Sequence, residues 1–443
     1  MSAAQQPEAE LLTSTELLNC WLVLSTEERR QGFAQLSRPE AETLFLALRT
    51  EDQAEILVGL PKEEWRSWVR LLPPNDAADL IQVLEPEDRS TMLTLLDEPT
   101  RREVLGLLAY AEDQAGGLMD PRYARLRPEM SVAEAHSYLR RYASEHRRST
   151  YYAYVLDAEQ RLLGTISFRD LFAAESDEPV ADIMHTKVVR VTEDQDQEEV
   201  GLLFATYRFL ALPVVDAEGH MKGVVTVNDI VDVVQEEATE DIHKIGGTEA
   251  LEGPYLRVNF LSMARKRGSW LAALFLGEML TATAMGYFEQ EIARAVVLAL
   301  FVPLIISSGG NSGSQATTLV IRAMALGEVR LRDWWRVIRR ELAAGVVLGG
   351  LLGTIGVLRI VLWHAAFDLY GAHFALIAVT VGLSLIGVVT FGTLVGSMLP
   401  FVLRLLGCDP ASASAPFVAT LVDVTGLIIY FTVASIVLSG TLL

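Results

Sequence analysis

Three groups of residues carry most of the chemistry legible in this chain. The first is a single carboxylate, Asp423, inside Ala415-Pro-Phe-Val-Ala-Thr-Leu-Val-Asp423-Val-Thr-Gly-Leu-Ile-Ile-Tyr430, an otherwise apolar segment long enough to cross a bilayer. A charge at mid-membrane costs about 2.5–3.5 kcal/mol on insertion scales, so it belongs against a pore, a partner or a substrate. A cation pathway is the first chemistry this suggests. The second group is Glu236, Glu237, Glu240 and Asp241, which helical spacing spreads over neighbouring faces. Such a cluster repels itself unless a divalent cation bridges it, and Mg²⁺ takes oxygen ligands while keeping several waters. A solvated acidic helix is the alternative. The third group is Ser167-x-x-Asp170 and Thr226-x-x-Asp229, short motifs that cap helices.

The elements that must position these residues divide the chain. It has 443 residues, is 51% hydrophobic and carries a formal charge of −20. From Ala264 onward there are 12 Lys+Arg and 9 Asp+Glu, a balance of +3, so the first 263 residues carry −23. An acidic half of this size repels phosphates, which excludes nucleic acid as a partner and favours cations. Two cysteines, Cys20 and Cys408, suggest neither a disulfide framework nor a thiolate metal site. The polar, acidic N-terminus has no basic n-region, so no cleaved leader is expected.

Five apolar stretches can span a membrane, roughly Trp270–Phe288, Ala293–Met324, Leu342–Ala365, Phe374–Phe401 and Ala411–Leu438. The second is too long for one straight helix. Pro303 and then Ser307-Ser-Gly-Gly-Asn-Ser-Gly-Ser-Gln315 predict an interruption, with irregular backbone lining a wet cavity. Close helix packing by small residues is the competing explanation. Basic residues gather before the first span (Arg265, Lys266, Arg267), between the second and third (Arg330 to Arg340) and between the fourth and fifth (Arg404). All three loops lie on one side, which predicts a cytoplasmic N-terminal half and an outside C-terminus. Arg359 is expected to snorkel at the outer end of the third span. A second membrane carboxylate, Glu278, lies in the first. A two-fold dimer with a shared pore would bring two copies of Asp423 together, with a cation between them.

The soluble half contains an internal repeat. Asp157-Ala-Glu-Gln-Arg-Leu-Leu-Gly164-Thr-Ile-Ser167-Phe-Arg-Asp170-Leu recurs 59 residues later as Asp216-Ala-Glu-Gly-His-Met-Lys-Gly223-Val-Val-Thr226-Val-Asn-Asp229-Ile. Each copy reads as strand, turn, strand and a helix capped by Ser167 or Thr226, giving two small α/β modules. Before them the chain is helical to about residue 118. Breaks at Pro61, Pro74, Pro86 and Pro99 predict short stacked helices.

These residues resemble the MgtE magnesium transporters along nearly the whole chain. The resemblance rests on Pro303 to Gln315 with Ala316-Thr-Thr-Leu-Val-Ile-Arg-Ala323, on Leu331-Arg-Asp-Trp-Trp-Arg336, and on Pro416-Phe-Val-Ala-Thr-Leu-Val-Asp-Val-Thr-Gly426. It implies an all-α superhelical N domain (1–118), a pair of α/β CBS domains (119–182 and 183–234), a plug helix and linker (235–262), and an α-helical transmembrane pore domain with five spans (263–443). It further implies a homodimer in a bacterial plasma membrane, in contact with lipid. Asp423 would hold hydrated Mg²⁺, with Asn311, Gly309, Gly310 and the backbone of Ala419. Sensor ligands would be Asp196, Glu198, the backbone of Ala205, Asp229, Asp232, Glu237, Glu240, Asp241 and Asp409. At high cytoplasmic Mg²⁺ these would hold the pore closed. ATP is a further ligand implied for the CBS pair, at Ser167, Asp170, Thr226 and Asp229. The chain departs from the family's pattern at Arg208, where a carboxylate is frequent, at Ala415, where Asn is common, and at Glu278, where a small residue is frequent.

Two other functions compete. In a coupled carrier, Glu278 and Asp423 would exchange protons or Na⁺ for Mg²⁺ or Co²⁺. A nucleotide-sensing membrane receptor without transport would leave Asp423 unexplained. No Walker motif, paired nucleophile and base, or transition-metal constellation points to an enzyme.

Overall fold

Capping residues and prolines lay out the helices of the N-terminal region. The computed structural model describes residues 13–442 except 146–150, 252, 254 and 257. Eight short helices open the chain: α1 (Ser14–Cys20), α2 (Thr26–Gln35), α3 (Arg38–Ala47), α4 (Thr50–Gly59), α5 (Lys62–Val69), α6 (Pro74–Val83), α7 (Pro86–Leu95) and α8 (Glu98–Leu107). Thr13 and Ser25 close capping boxes with Glu16 and Glu28. Pro61 is the N-cap of α5, whereas Pro74, Pro86 and Pro99 fall in the first turns of α6, α7 and α8, where a missing N–H costs nothing. Most helices pack on the one two places along, α2 on α4, α4 on α6 and α6 on α8, which makes a superhelical stack. Trp65, Phe45, Leu44 and Leu57 fill its core.

The repeat folds as two three-stranded sheets. In the first, β1 (Arg125–Leu126) pairs parallel with β2 (Tyr152–Leu156), which pairs antiparallel with β3 (Leu162–Ser167). In the second, β4 (Val191–Thr192), β5 (Ala211–Val215) and β6 (Met221–Thr226) repeat that order. Both copies bulge at corresponding positions, Val155/Leu156 and Val214/Val215. Around the sheets lie α9 (Ala115–Leu118), α10 (Val132–Glu145), α11 (Phe168–Ala173), α12 (Val180–Ile183), α13 (Gln197–Tyr207) and α14 (Val227–Ile245). The two hairpin tips bond to each other, Leu162 N–H to Gly219 carbonyl and Met221 N–H to Gln160 carbonyl. One apolar cluster runs from Leu17 of α1 to Ile230 of α14 and joins the helical stack to the second module. Tyr110 secures that junction by donating to Glu193 at 2.7 Å. Burial, helped by this bond, pushes its hydroxyl up to about 12, so it stays a donor.

The chain divides into two compact units, Met1–Gln235 and Glu236–Leu443. The second contains five helical segments long and apolar enough to cross a membrane. Their helices are α15 (Phe260–Tyr287), α17 (Val302–Ala325), α18 (Trp334–Phe367), α19 (Phe374–Leu405) and α20 (Ala415–Val437), with a short α16 (Glu289–Arg294) after the first. Glycine governs how α17, α18 and α19 approach. A Cβ on Gly313 would meet the Gly392 carbonyl at 3.0 Å, and one on Gly349 would meet the Ile386 Cα at 2.7 Å. Thr317 donates from inside this seam to the carbonyls of Gly313 and Gly396 at 2.9 and 2.8 Å. Backbones this close gain dispersion and weak polar contacts where lipid offers no hydrophobic drive.

One expectation fails here. Ser307 to Gln315 is regular α-helix, continuous from Val302 to Ala325, and the irregular piece is the 3₁₀ turn Val296–Phe301 before it. Pro303 sits in the first turn of α17, where it starts the helix instead of breaking it. The glycines are therefore packing residues. Arg359 lies over the rings of Trp363 and Phe301, at 5.4 and 6.0 Å.

Candidate functional site

The membrane candidate is built on α17 and α20. Val418 and Val422 are buried, which fixes the rotation of α20 and leaves Ala419 and Asp423 partly exposed along an adjacent line. Opposite them stands Gly310. A Cβ there would lie 3.4 Å from the Ala419 Cβ and 3.7 Å from an Asp423 carboxylate oxygen. Gly310 thus faces Ala419 and Asp423 at ordinary contact distance. Gly309 points another way, against Val388 and Val422. Asn311 is exposed and donates to Ser307 Oγ at 3.3 Å. With Ser307, Gln315 and Thr318 it forms an exposed polar stripe at helical spacing along α17. Ser314 ties the two helices together by donating to the Ala415 carbonyl at 3.0 Å.

A second candidate gathers at the end of α14. Its last turn closes in a Schellman motif: Thr248 N–H bonds the His243 carbonyl, Gly247 N–H bonds the Lys244 carbonyl, and Gly247 takes φ +72°. Only glycine suits this position, because a Cβ would also strike Trp270 at 2.8 Å. Ile245 packs with Ile321 of α17 and with Ala411 and Ala413. Glu240 and Asp241 lie here beside Asp409, 168 residues further along the chain than Asp241 and named above only through the resemblance. Lys244 offsets part of their charge: its ammonium pairs with Glu240 and lies 2.6 Å from Asp409. Burial works against the charged ammonium, but its bonds to Asp409 and Glu240 outweigh that and hold its pKa above the usual lysine range. Asp241 is half-buried, and burial with the charge of Asp409 pushes its carboxyl up. A hard, all-oxygen set of this kind fits Mg²⁺, with Lys244 as its built-in competitor.

The other sensor candidates lie in the first unit. Asp229 and Asp232 are one turn apart on α14. Asp229 is engaged: it accepts from Thr226 N–H at 2.9 Å and Thr226 Oγ1 at 2.6 Å, and from Asn75 at 3.5 Å. Asp196 caps α13 by accepting the Glu198 N–H at 2.8 Å. Glu198 and Ala205 are both exposed on α13, but two turns of helix put them about 10 Å apart, so one subunit cannot offer both directly to one ion. Arg208 ends α13 in the left-handed region, at φ +56°. Glu237 lies midway along α14, half-exposed.

A cavity of about 490 Å³ opens in the CBS pair, lined among others by Tyr152, Thr165, His185, Val189, Phe209 and Pro213. Ser167 donates to Asp170 at 2.6 Å, and His185 links Asp170 to the cavity wall at 3.0 Å. Thr226 and Asp229 do not line it. Their motif spends its hydrogen bonds on capping α14. The aromatic and histidine lining was missed in the sequence, where only the repeated Ser/Thr-x-x-Asp stood out. Also missed were Lys244 and the Asp216, Glu218 and His220 group, whose ligand atoms lie within 4.8 Å of one another. Asp216 there is already paired with Lys222 at 3.1 Å.

A helical stack, a CBS pair and a five-span unit with a carboxylate beside its small-residue core define a multi-pass membrane protein of the cation-transporter class. Residues 302–433 match the MgtE divalent cation transporter family, residues 12–113 its intracellular N domain, and residues 115–177 and 180–236 CBS domains. The magnesium transporter MgtE of Thermus thermophilus is 44% identical over 76% of this chain and 73% of its own length. That of Enterococcus faecalis is 33% identical over 75% and 71%, respectively. A crystal structure of the cytosolic domain of the Mg²⁺ channel MgtE in complex with ATP is 42% identical, covering 50% of this chain and 90% of that one, with TM-score 0.47. The chain belongs to the MgtE family of magnesium transporters, which are transporters and not enzymes.

Proposed function

We propose that the protein is a Mg²⁺-selective channel, formed by two copies around a two-fold axis and closed by cytoplasmic Mg²⁺. One observation carries this reading. Asp423, Asn311, Ser307, Gln315 and Thr318 present polar groups at membrane depth on the surface of a single chain. Hydrocarbon would make that surface costly, and a water-filled path between two copies removes the cost. Asp423 from each copy then faces a shared ion. Neither carboxylate is part of a cage, so the ion keeps most of its water, as Mg²⁺ prefers. The basic loops support an arrangement with the acidic half on the cytoplasmic side of a bacterial plasma membrane.

Closure follows from linkage. An ion that binds the closed arrangement better shifts the population toward it. Glu240, Asp241 and Asp409 lie beside Ile245 and the cytoplasmic end of α17, so their occupancy is well placed to hold α14 over the pore. Asp196, Glu198, Asp229, Asp232 and Glu237 contribute further acidic oxygens. The test is ion flux into liposomes with internal Mg²⁺ varied. Asp423→Asn is expected to abolish Mg²⁺ uptake, and unchanged uptake would overturn the pore assignment. Single-channel currents separate this from a coupled carrier, which shows none. A second ligand is favoured by the cavity at Tyr152, Phe209 and His185. Its aromatic walls and volume suit an adenine nucleotide such as ATP. Equilibrium dialysis with labelled ATP, and its loss in Phe209→Ala, checks this.

A further inference from the structure

We propose that Glu278 is a second acidic residue of the ion pathway and sets, with Asp423, its preference for divalent over monovalent cations. The inference rests on the pore reading above. Its starting point is placement. Arg265, Lys266 and Arg267 fix where α15 enters the membrane, and from Gly268 to Tyr287 the helix is apolar apart from Glu278. Ten residues separate Glu278 from Gly268 and nine from Tyr287, so about 15 Å of helix lies on either side. That is the midplane, where neither end offers relief by snorkelling.

Packing then aims this part of α15 at the ion site. A Cβ on Gly277 would meet Thr420 Cγ2 of α20 at 2.9 Å, so the two helices are in close contact beside Glu278. Thr420 is one turn before Asp423 on the same side of α20. The first and fifth of five spans run in the same direction, which brings the two carboxylates to similar depth. Among the described residues Glu278 forms no ion pair, and no side chain of α15 is buried in the single chain. A mid-membrane carboxylate without a cationic partner, one helix contact from Asp423, answers to the ion itself. A pathway lined by two carboxylates per copy holds a divalent ion more strongly than a monovalent one, since the attraction doubles with ion charge.

The experiment uses the full chain in liposomes and measures flux against Mg²⁺ concentration together with Mg²⁺/K⁺ permeability. Glu278→Gln is expected to raise the Mg²⁺ concentration for half-maximal flux about tenfold and to narrow the divalent preference, as removal of a unit charge near a divalent ion should. Glu278→Asp is expected to retain both. A second arm avoids dependence on the Gln variant: Glu278→Cys, with Cys20 and Cys408 replaced by Ser, is treated with anionic or cationic thiosulfonates. The anionic adduct should restore selectivity and the cationic adduct should block flux. Wild-type concentration dependence and selectivity in Glu278→Gln, or indifference to adduct charge, would overturn the proposal while Asp423→Asn remained inactive. If Asp423→Asn conducts normally, the pore reading itself fails.

Discussion

Lys244 changes what the acidic end of α14 means. Four carboxylates in six residues invite a metal, yet here an ammonium already sits between Glu240 and Asp409. It lies one turn beyond Glu240, at the spacing where opposite charges on a helix meet. Mg²⁺ binding at these oxygens must displace or share them with Lys244. Partly exposed ion pairs of this kind contribute up to about 1 kcal/mol. Lys244→Gln is therefore expected to lower the internal Mg²⁺ that halves the flux, by about fivefold. A higher requirement for Mg²⁺ would instead make Lys244 a brace for α14. Asp423 was readable from sequence because a lone charge in an apolar run has few explanations. Gly310 beside it carries no side chain to announce it and entered only through the resemblance. Lys244 was hidden for a similar reason, since its partner Asp409 lies 165 residues away.

At the scale of elements, α17 is the instructive case. Its Ser-Ser-Gly-Gly-Asn-Ser-Gly-Ser-Gln run has poor intrinsic helix propensity, and in water it would be a loop. In a membrane unit the backbone must bond to itself, and the small residues buy a close approach to α19 that outweighs their propensity. Propensity was legible and its tertiary override was not. The repeat of the CBS modules, by contrast, was fully legible, down to the caps Ser167 and Thr226, because both copies repeat the same turn chemistry. Two substitutions separate packing glycines from dispensable ones. Gly313→Leu forces atoms into Val418 and the Gly392 backbone, and overpacking of this kind costs about 1–3 kcal/mol or more. It should lower the melting temperature in detergent and the yield of folded protein. Gly106→Ala, in α8, meets nothing within 4 Å and should stabilise the helical stack by about 0.5–1 kcal/mol in denaturant titrations.

For the whole molecule, charge asymmetry is the dominant property. A balance of −23 over the first 263 residues is a standing self-repulsion that divalent ions relieve more efficiently than monovalent ones. Chelation of Mg²⁺ is accordingly expected to speed proteolytic cleavage in the segment 246–259, and added Mg²⁺ to slow it. NaCl at the same ionic strength should protect only in part. Equal protection by both salts would reduce the acidic half to a screened polyelectrolyte without discrete sites. The same asymmetry was the first thing composition revealed, and the division of the chain into an acidic soluble half and an apolar spanning half follows it closely.

The glycine seam between α17, α18 and α19 has a consequence for how this sequence can drift. Glycine is the smallest residue, so every amino-acid substitution at Gly313, Gly349, Gly392 or Gly396 adds atoms where the facing backbone leaves no room. These positions have no gentle neighbour in the genetic code. A mutational library of the membrane unit should show them as deep minima that reject even alanine. The outward face of α15, with no buried side chain, should accept a broad range of apolar letters.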